Sequence, residues 1–126
     1  MQPDRTDIVR NGIEAFSRGD FDEALSGFDP DIEWEVGSDL VPDGRTYRGH
    51  EGVREFWRDW HQLFHPFRLE IEECTPVGPG TIRVVARAQG RGAGSGVPVE
   101  SPRFTQTFEF RGERVVAVRL HAVPRH

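Results

Sequence analysis

The chain has 126 residues, 36% of them hydrophobic and 29% charged, with 14 Gly and 9 Pro; this is the composition of an ordinary globular protein with many turns, and the length leaves room for one core in a single domain over residues 1–126. Sixteen Lys and Arg stand against 21 Asp and Glu, and basic residues such as Arg83, Arg87, Arg103 and Arg119 are scattered singly, so nucleic acid is not an expected partner. No apolar run approaches the ~20 residues that span a bilayer, and Met1-Gln-Pro-Asp-Arg-Thr-Asp7 lacks a cationic stretch followed by an apolar one, so no membrane partner is expected and the cytoplasm is the expected location.

Ile8, Val9, Gly12, Ile13 and Phe16 recur at helical spacing behind Asp4-Arg-Thr-Asp7, where the first Asp or the Thr can cap the opening turn; Gly19 ends this first helix. Asp20-Phe-Asp-Glu23 reads as a capping box, with Glu23 placed to reach back to the Asp20 amide, and opens a short second helix whose apolar residues are Ala24, Leu25 and Phe28. Ile32-Glu-Trp-Glu-Val36 alternates strictly, so a strand there sends Ile32, Trp34 and Val36 to one face and both glutamates to the other. After a loop with Pro42, Gly44 and Gly49, the residues Val53, Phe56, Trp57, Trp60 and Phe64 fall on one stripe of a third helix that His65-Pro66 closes.

From Phe67 the period becomes two: Leu69-Ile71, then Ile82-Val84-Ala86-Ala88, then Phe104-Gln106-Phe108-Phe110, then Val116-Val118-Leu120, separated by Gly- and Pro-rich turns. Four long antiparallel strands follow, and with helices gathered at one end of the chain the fold class is α+β with the helices on one sheet face. Arg91-Gly-Ala-Gly-Ser-Gly96 has no Lys-Ser/Thr and joins two strands, which makes it a hairpin loop and no phosphate cradle. Cys74, the only cysteine, can form no internal disulfide and reads as a buried inert thiol.

Three landmarks, Phe16-Ser-Arg-Gly-Asp-Phe21, Phe28-Asp-Pro-Asp-Ile-Glu-Trp34 and Tyr47-Arg-Gly-His-Glu-Gly-Val53, together with the late segment Phe108-Glu-Phe-Arg-Gly-Glu-Arg-Val-Val116, closely resemble the SnoaL-like polyketide cyclase branch of the nuclear transport factor 2-like (NTF2-like) superfamily. They run through nearly the whole chain in the family's order. The resemblance implies a cone in which three N-terminal helices pack on a strongly curved antiparallel sheet and enclose a pocket. It also implies a homodimer formed through the outer sheet face. Relatives include cyclases, ketosteroid isomerases, epoxide hydrolases and dehydratases, so the fold does not decide the activity.

In such a cone Trp34, Trp57, Trp60, Phe64, Phe104, Phe108 and Leu120 would form a deep apolar wall, joined by Phe16 at the end of the first helix; walls with few polar groups hold small organic ligands, although each ring can also serve simply as core. Three tryptophans, two on one helix face, favour at least one indole in the pocket. Gln106, in phase with Phe104 and Phe108, points inward, where a buried amide either bonds to protein or orients a ligand carbonyl.

By alignment with the ketosteroid isomerases the chain offers Gly12, Val36 and Gln106 where those enzymes need a Tyr and two Asp, and it supplies no inward Asp pair around an Arg as in the limonene-type epoxide hydrolases. The cyclases work with inward Asp and His residues as acid and base. The matching candidates are Glu100, in phase with Gln106 if no bulge intervenes between Pro98 and Pro102, then Asp39, Asp43 and His50 at the rim, with Tyr47 as a donor; each reads first as a solvated loop or rim residue. His61 and His65 stand four apart, but with no zincin-type Glu between them and no third ligand no metal is expected, and His121 and His126 read as surface groups. The outer face, with Arg83, Val85, Arg87, Thr105, Thr107, Glu109 and Arg119, suits solvent or a dimer interface.

The function expected from these features is cofactor-free acid-base chemistry of the cyclase, isomerase or dehydratase kind on a hydrophobic, polyketide-like substrate. A non-catalytic protein that binds hydrophobic small molecules is the alternative. A protein-interaction role would call for an exposed apolar groove.

Overall fold

The computed structural model describes residues 4–123, so His126 lies outside the described residues. The elements run in the order α1 (Arg5–Ser17), α2 (Phe21–Leu25), β1 (Phe28–Val36), β2 (Arg45–Arg48), α3 (Gly49–Leu63), β3 (Phe64–Gly78), β4 (Thr81–Gly92), β5 (Pro98–Glu100), β6 (Phe104–Arg111) and β7 (Arg114–Ala122). Local chemistry sets the helix ends. Asp4 accepts the Thr6 amide at 3.2 Å to open α1, and Gly19, at φ +82°, follows its end. Asp20 accepts the Glu23 amide at 3.2 Å to open α2, but the reciprocal half of the expected capping box is absent, because the Asp20 amide donates to the Ala15 carbonyl at 2.9 Å instead.

The α+β arrangement is as the pattern of periods requires. One sheet of seven strands runs in the order β2-β1-β7-β6-β4-β3, with β5 paired to β4 beyond the end of β6. Adjacent strands are antiparallel except β1 and β7, which run parallel. The sequence pattern missed β2 and β5: neither has apolar alternation, and all three residues of β5 are exposed. The edge strand β3 begins at Phe64 and takes in Pro66 and Pro76, and its register shifts beside both prolines.

Pairing aligns inward side chains in rows across the sheet. Val36, Leu120, Gln106 and Val84 are successive partners in one row, and Trp34, Val118, Phe108 and Ile82 in the next. All but Gln106 are apolar, all eight are buried, and the strict alternation of β1, β4 and β6 places them there. The phase slips once in β7. The register shift between Glu109 and Phe110 leaves Val116 out of the ladder, so Val115 is buried and Val116 only partly so, against the expected inward Val116.

Helix α3 faces the sheet with Val53 and Trp57 buried, and Val9, Ile13, Ala15 and Phe16 of α1 join the same core. Ion pairs formed within the chain join Arg87 to Glu72 (3.1 Å) and Glu100 (2.6 Å) and Arg119 to Glu109 on the outer face, and Glu72 also pairs with Arg103 (2.7 Å) in the break between β5 and β6. Cys74 is half-buried on β3, and burial raises its thiol pKa. Among the described residues no helix is long and apolar enough to cross a membrane.

Ile32 has no exposed surface and lies in the core on β1. Ile32→Ala should lower the unfolding free energy by about 2–5 kcal/mol, read from the urea midpoint at constant slope.

Candidate functional site

The helices stand off the inner sheet face and leave a cavity of ≈690 Å³, within the range that holds small organic ligands. Its ends are set by the β1–β7 pair. Ser26, Gly27 and Glu113 line the end near the Phe28–Val115 pairing; Asp39, Leu40, Val41, Arg103 and Val123 line the opposite end beyond the Val36–Leu120 pairing, and we refer to this second end as the mouth.

A run of aromatic contacts forms the wall between the two ends. The Trp57 indole meets Trp34 edge to face (5.6 Å between centroids) and also packs on Phe16 (5.2 Å) and Phe28 (5.8 Å). Trp34 continues to Phe56 (5.8 Å), Phe56 to Trp60 (6.1 Å), and Trp60 stacks on Phe67 (6.1 Å). Tilted and edge-to-face pairs at these separations are the arrangements aromatic rings prefer.

Eight of the wall residues singled out from sequence line this cavity: Phe16, Trp34, Trp57, Trp60, Phe104, Gln106, Phe108 and Leu120; Phe64, expected in the same wall, does not, because α3 ends at Leu63 and Phe64 opens β3. Gln106 is 3% exposed, and its Oε1 has no hydrogen-bond partner among the described residues; the same is true of Trp34 Nε1. Tyr47 does not line the cavity. It sits on β2 beyond β1, with its ring 5.0 Å from Phe56 and the Arg45 guanidinium over it at 4.7 Å, so Phe56 stands between it and the interior.

The acid-base candidates separate in the same way. Glu100 points outward, correcting its expected inward phase: β5 pairs Glu100 with Gln89, and its carboxylate bonds Arg87 on the outer face. The physical reason is the break at Ser101–Arg103, where the Ser101 amide and hydroxyl both bond the Ala88 backbone and interrupt the alternation between β5 and β6. His50 is also outside the cavity, its Nε2 held 3.0 Å from the Phe28 carbonyl oxygen. Asp43 is exposed in a left-handed turn at φ +66° and does not line the cavity either.

Asp39 does line the mouth. Its Oδ2 accepts the Ala122 amide at 3.0 Å, and its Oδ1 lies 3.6 Å from Nδ1 of His121. Gly37 makes this approach possible: a Cβ there would stand 2.5 Å from Asp39 Oδ1 and 2.7 Å from His121 Nδ1. No local pattern marks the Asp39–His121 pair, which the loop after β1 creates by folding over the end of β7. Leu40 and Val41, an apolar pair inside a polar Gly/Pro loop, were the readable signal for the mouth.

The charged residues that line the cavity are Glu23, Asp39, Arg103 and Glu113, all at its ends, and none belongs to the two buried rows of the sheet. No group of three or more His, Cys, Asp or Glu side chains able to hold a metal occurs among the described residues. His61 lies behind the wall, ringed by Phe16, Phe21 and Phe67, with Nε2 2.9 Å from the Phe16 carbonyl oxygen. Burial lowers its pKa, the Phe16 carbonyl opposes that shift, and His65 adds to it.

Comparison with known proteins agrees with this geometry. A family described as the SnoaL-like domain matches residues 9–118. The chain belongs to this family. Among solved structures, the SnoaL-like domain is similar to an NTF2-like protein of unknown function from Burkholderia pseudomallei K96243 (25% identity, TM-score 0.80, covering 97% of this chain and 92% of that one). It is also similar to TerC co-crystallised with polyporic acid (20%, TM-score 0.77, 94% and 91%) and to a putative SnoaL-like polyketide cyclase from Jannaschia sp. CCS1 (18%, TM-score 0.77, 92% and 83%). No curated protein matches the sequence.

Two measurements check the site. Gly37→Ala should part Asp39 from His121 and speed hydrogen exchange of the Ala122 amide, which the Asp39 carboxylate otherwise holds; unchanged exchange would show that the loop absorbs the methyl group. The lowered His61 pKa means that the unfolded chain takes up a proton more readily there, so its contribution to stability is complete above the ordinary value of 6.5 and lost as pH falls through it. The melting temperature should therefore drop between about pH 7.5 and about pH 5.5, and drop less in His61→Gln.

Proposed function

We propose that this SnoaL-like domain holds a hydrophobic, ring-bearing small molecule in its cavity. The observation that carries this reading is the ≈690 Å³ space itself, walled by tilted and stacked aromatic rings and bounded by charge only at its ends. Aromatic faces contribute large apolar contact at little entropic cost, which suits flat or polycyclic compounds. The co-crystallisation of TerC with polyporic acid supports the use of a similar fold to hold an organic compound.

A second reading, turnover by acid-base chemistry of the cyclase, isomerase or dehydratase kind on a polyketide-like substrate, is favoured by one observation. Asp39 lines the mouth with its carboxylate fixed by the Ala122 amide and His121 beside it, so a ring compound that fills the cavity would bring its outer end to a positioned base. In this reading Asp39 takes the proton from an activated carbon and the apolar wall shields the resulting enolate from water. The likeness to the putative polyketide cyclase of Jannaschia supports the reaction class.

N-phenyl-1-naphthylamine, a neutral probe that fluoresces in apolar surroundings, tests the first reading. Saturable fluorescence is expected, reduced at least about tenfold in affinity by Ala88→Phe, which fills the cavity from β4; no saturation, or no effect of the filling residue, would refute it. For the second, Asp39→Asn should lower turnover of an accepted ketone by about 10²-fold or more with probe affinity unchanged, and equal turnover would remove Asp39 from the chemistry.

A further inference from the structure

The two buried rows of the inner sheet face carry one polar side chain among their eight positions. Gln106 has Phe104 and Phe108 on either side along β6 and Leu120 and Val84 as its partners across the sheet. It is 3% exposed, it lines the cavity, and its Oε1 lacks any hydrogen-bond partner among the described residues. A Leu or Met would fill the same volume without stranding an acceptor, whereas a buried polar atom left unpaired loses its hydration with nothing in return. In the neighbouring row Trp34 Nε1 is stranded too, a second, separate sign that this interior is completed by groups the chain does not supply.

We propose that Gln106 is the specificity determinant of the cavity and that the preferred occupant is an uncharged ring compound bearing a hydroxyl that donates to Gln106 Oε1. This rests on the small-molecule reading above and adds to it the chemistry of the ligand. Neighbouring side chains cover Oε1 in the present arrangement, but the terminal torsion of a glutamine is broad, so the amide can turn to meet a ligand without strain at the backbone. The charge follows from the lining. Arg103, the one cation that lines the cavity among the described residues, is at the mouth and is bonded to Glu72 at 2.7 Å. An anionic group carried inward to Gln106 would therefore lose its water and meet no counter-charge. A phenolic hydroxyl stays neutral at pH 7 and both donates and accepts.

Three compounds of one shape test this: fluorene, 2-hydroxyfluorene and fluorene-2-carboxylate, titrated calorimetrically into the wild-type chain and into Gln106→Met, with Gln106→Asn as a second variant whose shorter amide withdraws from the site. The wild type should bind 2-hydroxyfluorene at least about tenfold tighter than fluorene, about 1.4 kcal/mol, and at least about tenfold tighter than the carboxylate. Gln106→Met should bring the hydroxyl preference close to one while holding fluorene as well as or better than the wild type, a pattern that a purely structural glutamine would not produce. A hydroxyl preference that survives in both variants, or a carboxylate that binds as tightly as the phenol, overturns the inference. Fluorene binding without a gain from the hydroxyl overturns it while leaving the small-molecule reading intact; saturable binding of none of the three refutes both.

Discussion

The packing around Trp57 is the constraint on which the rest depends. Its indole, 3% exposed, contacts a ring from α1 (Phe16), one from α2 (Phe21) and two from β1 (Phe28 and Trp34), all at centroid separations of 5.2–5.8 Å. A side chain of this size, engaged edge-on and tilted on several sides, fixes how closely α3 can approach the sheet. The open interior follows from the bulk of one residue and the geometry that aromatic rings prefer.

Charge divides the molecule into two surfaces with different tasks. The outer sheet face satisfies its acids and bases among themselves, as in the Glu72–Arg87–Glu100 cluster. The inner face carries no charge in its central rows and leaves the ends of the cavity to carboxylates and one arginine. An alternating strand produces this separation without further instruction, because each residue that faces solvent on one side is followed by one that faces the cavity on the other.

Most of the fold and most of the cavity wall were legible for that reason. Where β1, β4 and β6 alternate without interruption, Trp34, Ala88, Phe104 and Gln106 could be assigned inward from spacing alone, and the stripe of α3 gave Trp57 and Trp60 in the same way. Reading failed where the period broke. The Ser101–Arg103 interruption turned Glu100 outward, and the bulge at Val116 shifted the burial of β7 by one residue. Tyr47 and His50 misled for another reason: each is near the cavity, yet a ring (Phe56) or a backbone carbonyl (Phe28) engages it first. The Asp39–His121 pair joins the loop after β1 to β7, a tertiary contact that no local pattern encodes.

The edge strand β3 carries Pro66 and Pro76. Proline has no amide hydrogen to offer, so any foreign strand sliding along that border would find its ladder broken at each of them. The sheet is thereby hindered from growing at this border, which gives amyloid-like stacking little to extend.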